Sequence, residues 1–419
     1  MIYNLPVEKS ARPEGWTIQP LKQLADIVGG GTPETGVPDY WNPPEIPWVT
    51  PTDITACREP VLTRTERAIS QSGLRDSSAT MLPVGTTLLT SRATVGECRL
   101  AGVPLATNQG FASLVPKENT DPRFLFYLAQ TLKPVFSRLA AGTTFIEVSR
   151  REIRHVNVCI PSNPEESASL GQILTFADEA ILRAEAKLSA SRCIKTALMQ
   201  RFFSRGIPDR HSRFQQTKLG EIPESWEVLK LKKCGEWGSG GTPDRENKEF
   251  WGGTIPWVKS GEINYRPITD TEEKITDAGA ASVNGELLAP GTLLIAMYGA
   301  GVTRGKTAIL AVRAYVNQAI GFFKGNEQTE NEWLLYWFER NYERVRTLAG
   351  GANQDNLSLY LLKNLEIARP RRDEQQLIVT ILRQASAFIS EIEAELSTLE
   401  RLKRSLLQNL LTGRVRVKV

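Results

Sequence analysis

Histidine is nearly absent: the 419 residues hold two, His155 and His211. That argues against a His-based metal site or a Ser-His-Asp triad before any motif is sought. The five cysteines, Cys57, Cys98, Cys159, Cys193 and Cys234, are scattered, with no CxxC pair. Their odd number excludes a complete disulfide framework and fits a reducing cytoplasm. No run approaches the roughly 20 apolar residues of a membrane span. The first ten residues carry no apolar stretch of signal-peptide length, so a cytoplasmic protein without membrane contact is expected. Charge of one sign is not in large excess either. Lys and Arg number 51 against 47 acids, for a net charge of +4, compatible with nucleic acid but not selective for it.

What the chain does have is a second copy of itself, offset by about 210 residues. Trp16 matches Trp226, and Gly30-Gly31-Thr32-Pro33 matches Gly240-Gly241-Thr242-Pro243. Tyr40-Trp41 matches Phe250-Trp251, and Ile46-Pro47-Trp48-Val49 matches Ile255-Pro256-Trp257-Val258. Gly85-Thr86, Asn108-Gln109 and Pro161 return as Gly291-Thr292, Asn317-Gln318 and Pro370. Such a series in one order indicates duplication and a pseudo-two-fold molecule.

Each copy has two parts. The first is rich in glycine, proline and β-formers, with short apolar runs such as Thr86–Thr90 and Thr292–Ala296 that read as strands. Leu125–Leu139 and Trp333–Leu348 read as helices, giving an α+β domain. The second part is a heptad helix. Its seam runs through Leu170, Leu174, Ala177, Ile181, Ala184, Leu188, Ser191, Lys195, Leu198 and Phe202. The second copy's seam is Ile378, Leu382, Ala385, Ile389, Ile392, Leu396, Leu399, Lys403, Leu406 and Leu410. About five heptads make a helix of roughly 60 Å. Glu165, Glu166, Asp373 and Glu374 put acid near the helix N-termini, where the dipole favours it. Lys195 and Lys403 interrupt the two seams at equivalent places. Each either fixes register or reaches past the seam to water. Two such helices related by a two-fold axis pair antiparallel, with a globular reader at each end of the pair.

Several strings resemble catalytic motifs and fail on context. Ala300–Thr307 fits a relaxed phosphate loop, but the following residues read as a strand where a helix is needed. Asn42-Pro43-Pro44-Glu45 lacks the aromatic that an amino-methyltransferase stacks on a flipped base. Asp244 with Glu272-Glu273-Lys274 matches a nuclease spacing too loosely to carry one. Gly29-Gly30-Gly31 and Gly240-Gly241 are expected to serve tight turns with φ > 0. His155 is expected to be an ordinary surface or core residue. What remains are polar and basic residues in turns, of the types that grip phosphates and read base edges. In the first copy these are Arg64, Arg67, Arg75, Arg92, Thr143, Thr144 and Arg150. In the second they are Lys259, Arg266, Arg304, Lys306, Asn353 and Gln354. The copies differ most in these segments, as in Thr55–Ala79 against Asn264–Gly285. Similar frames with unlike loops suit two readers of two sequences.

Taken together, these motifs resemble the specificity subunits of type I restriction–modification systems. The resemblance rests on Gly30-Gly31-Thr32-Pro33, Ile46–Val49 with Thr52-Asp53-Ile54, and Thr107–Phe111. It continues through Lys218–Trp226 and Leu406–Gly413, and spans essentially the whole chain. Lys259-Ser260-Gly261-Glu262 departs from the form of Thr50-Pro51-Thr52-Asp53. The resemblance implies target recognition domains at 1–160 and 214–369. A central long helix with linker would occupy 161–213, and a C-terminal long helix with tail 370–419. Each domain would read half of an interrupted double-stranded DNA site. The paired helices would act as spacer and as seats for two modification (methyltransferase) subunits. Restriction subunits would join them. S-adenosylmethionine, ATP and Mg²⁺ would sit on those partners, and this chain would bind no cofactor and do no chemistry. The alternative is a free-standing DNA-binding or scaffold protein without a methyltransferase partner. The Asn-Gln pair recurs where readers should differ, so it is expected to support loops.

Overall fold

In the computed structural model the described residues are 12–140, 146–299, 302–348 and 356–417. They divide into two compact units, one from 1–187 with 392–419, the other from 188–391. The two long helices, Pro164–Arg205 and Arg372–Leu410, each contribute to both units.

The first unit is built on a five-stranded sheet in the order Ala25–Gly29, Ala112–Pro116, Thr87–Leu89, Cys98–Ala101, Val61–Leu62. A three-stranded sheet, Arg67–Ile69, Ile46–Val49, Ala106–Thr107, lies beside it in the chain's topology, with one antiparallel and one parallel pairing. Trp16–Pro20 pairs antiparallel with Asn157–Pro161, which ties the start of the domain to the strand that feeds the long helix.

The second unit repeats this plan. Its four-stranded sheet runs Gly235–Ser239, Ile320–Gly325, Leu293–Ala296, Thr307–Ile309. The three-stranded sheet is Glu273–Ile275, Trp251–Val258, Tyr315–Val316, and Glu227–Lys230 pairs with Glu366–Arg369. The fifth strand is reduced here to a single parallel bridge, Ile268 to Leu310. An added hairpin, Phe214–Thr217 with Gly220–Pro223, follows the first long helix.

The domain helices differ from the sequence reading. Each expected helix is two: Pro122–Thr131 and Lys133–Ala140 in the first unit, Asn331–Arg340 and Tyr342–Thr347 in the second. Asp121 caps the first, accepting from the backbone N–H groups of Arg123 and Phe124, which starts it ahead of the apolar run. Pro134 cannot donate to the carbonyl of Gln130, so the helix breaks there. In the second unit Asn341 leaves helical geometry, and its side-chain amide donates to the Trp337 carbonyl at 2.8 Å.

Phe124–Ala129 and Trp333–Phe338 are buried without interruption. A helix apolar all round belongs inside a core, and each one packs between sheet and long helices. In the first unit the cluster joins Ile27, Leu89, Leu114 and Phe136 to Leu170 and Leu174 of the first long helix and Leu410 of the second. In the second it joins Trp237, Leu293 and Phe323 to Met199 and Phe202 of the first long helix and Ile378 and Leu382 of the second. Within each unit, one helix's N-terminal part therefore meets the other's C-terminal part, which is antiparallel pairing. Along the seam Leu170, Leu174, Leu188, Ile378 and Leu382 are buried, while Ile181, Leu198, Ile389, Leu396 and Leu406 are partly so.

The seam lysines are held in ion pairs rather than left to water. Lys403 Nζ lies 2.5 Å from Asp178 on the facing helix, and Asp178 also accepts from the Tyr127 hydroxyl at 2.7 Å. Lys195 Nζ lies 2.7 Å from Glu339, on the domain helix of the second unit. Each ammonium is drawn into an ion pair because the opposing core supplies a carboxylate. Glu166 and Glu374 also do more than meet a helix dipole. Both are buried. Glu166 takes the Arg416 guanidinium in two bonds, 2.7 and 2.8 Å. Glu374 accepts from the Trp226 indole at 3.0 Å and the Ile207 backbone at 3.1 Å, and faces His211 Nε2 at 2.7 Å. Each acid binds the segment that follows the other long helix, so within each unit an equivalent acid ties the two long helices together.

Candidate nucleic-acid interface

The matched motifs of the two copies converge on one local arrangement. In the first unit the Trp48 indole donates to the Gly31 carbonyl at 3.0 Å, and Trp41 to Glu34 at 3.2 Å. In the second, Trp257 donates to Gly241 at 3.0 Å and Trp251 to Asp244 at 3.0 Å. The tryptophans of each pair meet edge to face, 5.3 Å apart at 88° and 5.0 Å apart at 86°. The Thr32 hydroxyl donates to the Gln109 carbonyl oxygen, and Thr242 to Gln318. Asn108 and Asn317 brace their own loops through the backbone N–H groups of Gly110 and Ala319. The Gly-Gly-Thr-Pro, Ile-Pro-Trp-Val and Asn-Gln motifs are thus parts of one frame.

The paired glycines are needed for a different reason from the one the sequence suggested. None of Gly29, Gly30, Gly31, Gly240 and Gly241 has a positive φ. A Cβ on Gly30 would stand 2.1 Å from the Asn108 carbonyl oxygen, and one on Gly240 1.8 Å from that of Val316. The requirement is close backbone approach between motif loops.

The departing tetrapeptide also keeps its job. Thr50 N–H donates to Asp53 at 2.8 Å and Glu66 N–H donates to the same carboxylate at 2.9 Å. Lys259 N–H and Glu272 N–H donate to Glu262 in the same way, at 2.7 and 3.0 Å. Glutamate at the fourth position replaces aspartate without loss of either bond.

The candidate DNA-contacting residues fall into three groups. Arg64, Arg67 and Arg150 are exposed, as is Arg266, while Arg304 and Lys306 are half-buried. Arg75, Arg92 and Lys259 are held in ion pairs with Asp76, Glu147 and Glu272 at 2.9, 2.9 and 2.6 Å. The Glu272 carboxylate raises the pKa of Lys259. Thr143, Thr144, Asn353 and Gln354 lie outside the described residues. His155 Nδ1 sits 2.7 Å from the Arg151 carbonyl, a local contact. Within the loose nuclease spacing, Glu272 pairs with Lys259, Glu273 with Arg245 and Lys274 with Asp270. After Lys306 the chain enters the strand Thr307–Ile309, so no helix N-terminus follows the phosphate-loop-like string.

Arg245 was not legible as a site residue. Its guanidinium lies over Trp251 at 4.0 Å and Trp257 at 4.9 Å. In the first unit Arg67 holds the same place, 3.9 Å from Trp41 and 5.0 Å from Trp48. The two arginines come from different chain positions. Arg67 is the strand residue opposite Trp48, where the second unit has Glu273 opposite Trp257. Arg245 follows the Gly-Gly-Thr-Pro motif, where the first copy has Thr35.

This doubled frame agrees with the comparison to known proteins. The family model for the type I restriction modification DNA specificity domain matches residues 13–189 and again 223–401. The chain belongs to that family. DNA sequence recognition within type I restriction–modification is the family's role. The MjaIX specificity subunit of Methanocaldococcus jannaschii is 24% identical over 411 residues, 97% of this chain and 95% of that protein. The EcoR124I/EcoR124II specificity subunit of Escherichia coli is 22% identical over 277 residues, 64% of each. The crystal structure of a type I S subunit from M. genitalium superposes with a TM-score of 0.63 at 14% identity, covering 98% of this chain and 99% of that one. The specificity-subunit fold, with its duplication and long helices, is therefore the fold of this chain. No helix among the described residues is long and apolar enough to cross a membrane.

Proposed function

We propose that each copy reads one half of an interrupted DNA site, while the paired long helices set the spacer and seat two methyltransferase subunits. The carrying observation is one frame used twice with different presentation. The Trp pair, Thr–Gln bond and sheet order recur, yet the arginines on that frame arrive from different positions. A shared frame supports two readers, and unlike loops support two half-site sequences.

Partner seating draws support from the long helices. Ile194 and Leu402 occupy equivalent positions beside the seam lysines, and they are 60% and 49% exposed. Equivalent apolar side chains left in water suit two copies of one partner. Restriction subunits would join the same assembly. S-adenosylmethionine, ATP and Mg²⁺ belong to those partners in this reading, which makes the chain a non-catalytic reader in the cytoplasm. Of the acids that resemble a nuclease, Glu272 and Glu273 are held in ion pairs and Asp244 accepts from the Glu246 backbone N–H, which supports a binding rather than a cleaving role.

Exchange of residues 1–160 for those of a relative with a different target tests the reading. With methyltransferase subunits present, adenine methylation mapped across a genome should change in one half-site only. A change in both half-sites would overturn the assignment of one domain to each. Cleavage or ATP turnover by the purified chain with Mg²⁺ would overturn the non-catalytic reading.

A further inference from the structure

The two tryptophan seats hold the same cation in opposite electrostatic states. In the second unit Arg245 Nη1 donates to Glu273 Oε1 at 3.0 Å, and its Nη2 lies 2.9 Å from Oε2, an ion-pair contact without hydrogen-bond geometry. The arginine's charge is cancelled, and one of its in-plane donors is taken up. In return Arg245 holds the Glu273 carboxyl below its ordinary pKa. In the first unit the strand position that would carry this acid is Arg67 itself. Among the described residues no carboxylate pairs with the Arg67 guanidinium and no acceptor takes its N–H groups. Arg67 is exposed, with its guanidinium placed on Trp41 and braced by Trp48.

A guanidinium seated over an indole keeps its donors at its edge. It is also partly immobilised, so less side-chain freedom is lost when an anion docks. An uncancelled, preorganised fork of this kind matches a phosphate group. The tryptophan pair that seats Arg67 belongs to the frame common to both copies, although Arg67 itself comes from Thr55–Ala79, where they differ. A contact fixed by the frame suits the part of DNA that is the same for every sequence, which is its backbone.

We infer that Arg67 is a phosphate fork gripping the DNA backbone at the first half-site, and that its counterpart Arg245 is a strut neutralised by Glu273. The inference rests on the chain being a DNA reader, and it adds that the two readers grip the backbone unequally.

The test uses the complex with methyltransferase subunits and measures duplex affinity as a function of salt, on a cognate and an unrelated duplex. Arg67→Gln should weaken both by a similar factor, about tenfold. It should also flatten the log–log salt slope by about one. Arg67→Lys, which keeps the charge, should hold the slope near wild type. Glu273→Gln should steepen the slope by about one, because Arg245 is released. Arg245→Gln should leave the slope unchanged and lower the melting temperature instead. An unchanged slope in both Arg67→Gln and Glu273→Gln, with melting temperatures near wild type, would overturn the proposal. A loss confined to the cognate duplex, with one base position relaxed, would overturn it in favour of a base contact. A wild-type complex that does not prefer the cognate duplex would instead remove the DNA-reading premise.

Discussion

Replacing Lys403 by methionine removes one partner of a buried ion pair and leaves the other in place. Asp178 is 7% exposed at its side chain and accepts from two groups, Lys403 Nζ at 2.5 Å and the Tyr127 hydroxyl at 2.7 Å. Burial first, and the Asp178 charge second, keep the Tyr127 phenol protonated well above its ordinary range. In Lys403→Met the carboxylate would keep only the phenol. Breaking a buried pair from one side costs about 3–5 kcal/mol. Lys403 retains some water access, 21% of its side chain, which favours the lower end, about 3 kcal/mol. For a unit of this size each kcal/mol moves the midpoint by about 2–4 °C, so the expected drop is about 6–12 °C. The triple variant Lys403→Met, Asp178→Leu, Tyr127→Phe removes every polar member together. It should recover to within about 1 kcal/mol of wild type, because an apolar replacement of a whole buried pair is close to neutral. Thermal unfolding read by calorimetry measures both. A single variant that loses less than about 1 kcal/mol, or a triple as unstable as the single, would show that the ion pair does not hold Asp178 in place. The lysine would then be a water-facing side chain whose pairing contributes nothing.

Gly30→Ala should destabilise by about 1–3 kcal/mol in urea unfolding, because its Cβ meets backbone. Gly36→Ala, with nothing within 4 Å of its Cβ, should stay within about 0.5 kcal/mol. The depressed pKa of Glu273 gives stability that is fully present above its unfolded value of 4.5 and fades as pH falls through the lower folded value. Glu273→Gln should therefore flatten the acid limb of a stability–pH curve measured by urea midpoints, and an unaltered limb would contradict the ion pair. A thiol reagent at neutral pH should modify exposed Cys193 first. Cys98, buried and with its pKa pushed up to about 12 by that burial, should react only on unfolding.

The duplication was legible because tryptophan, glycine and proline leave few substitutes, so motifs such as Ile46–Val49 and Ile255–Val258 stayed recognisable after the copies diverged. The helix seam was legible for the same reason that it packs: its apolar residues keep a strict spacing. What was hidden was compensation. The carboxylate facing a seam lysine is Asp178 on a long helix in one unit and Glu339 on a domain helix in the other. The arginine on the tryptophan seat is Arg67 in one and Arg245 in the other. Each interaction survives while its residues move along the chain, so aligning the copies makes these positions look merely variable. The glycine reading failed differently. Residue type showed that a Cβ was not tolerated, but the reason, a carbonyl brought in from a segment over 70 residues away, is a tertiary fact. Helix breaks at Pro134 and Asn341 turned on single residues inside otherwise periodic runs.

On the proposed function, the length of the paired helices sets the gap between the two half-sites. Four residues inserted in each long helix add about 6 Å of rise, close to two base pairs at about 3.4 Å each. Methylation mapped with the altered chain and added methyltransferase subunits should show both half-site sequences unchanged and a spacer longer by about two base pairs. An unchanged spacer with full methylation would contradict the account.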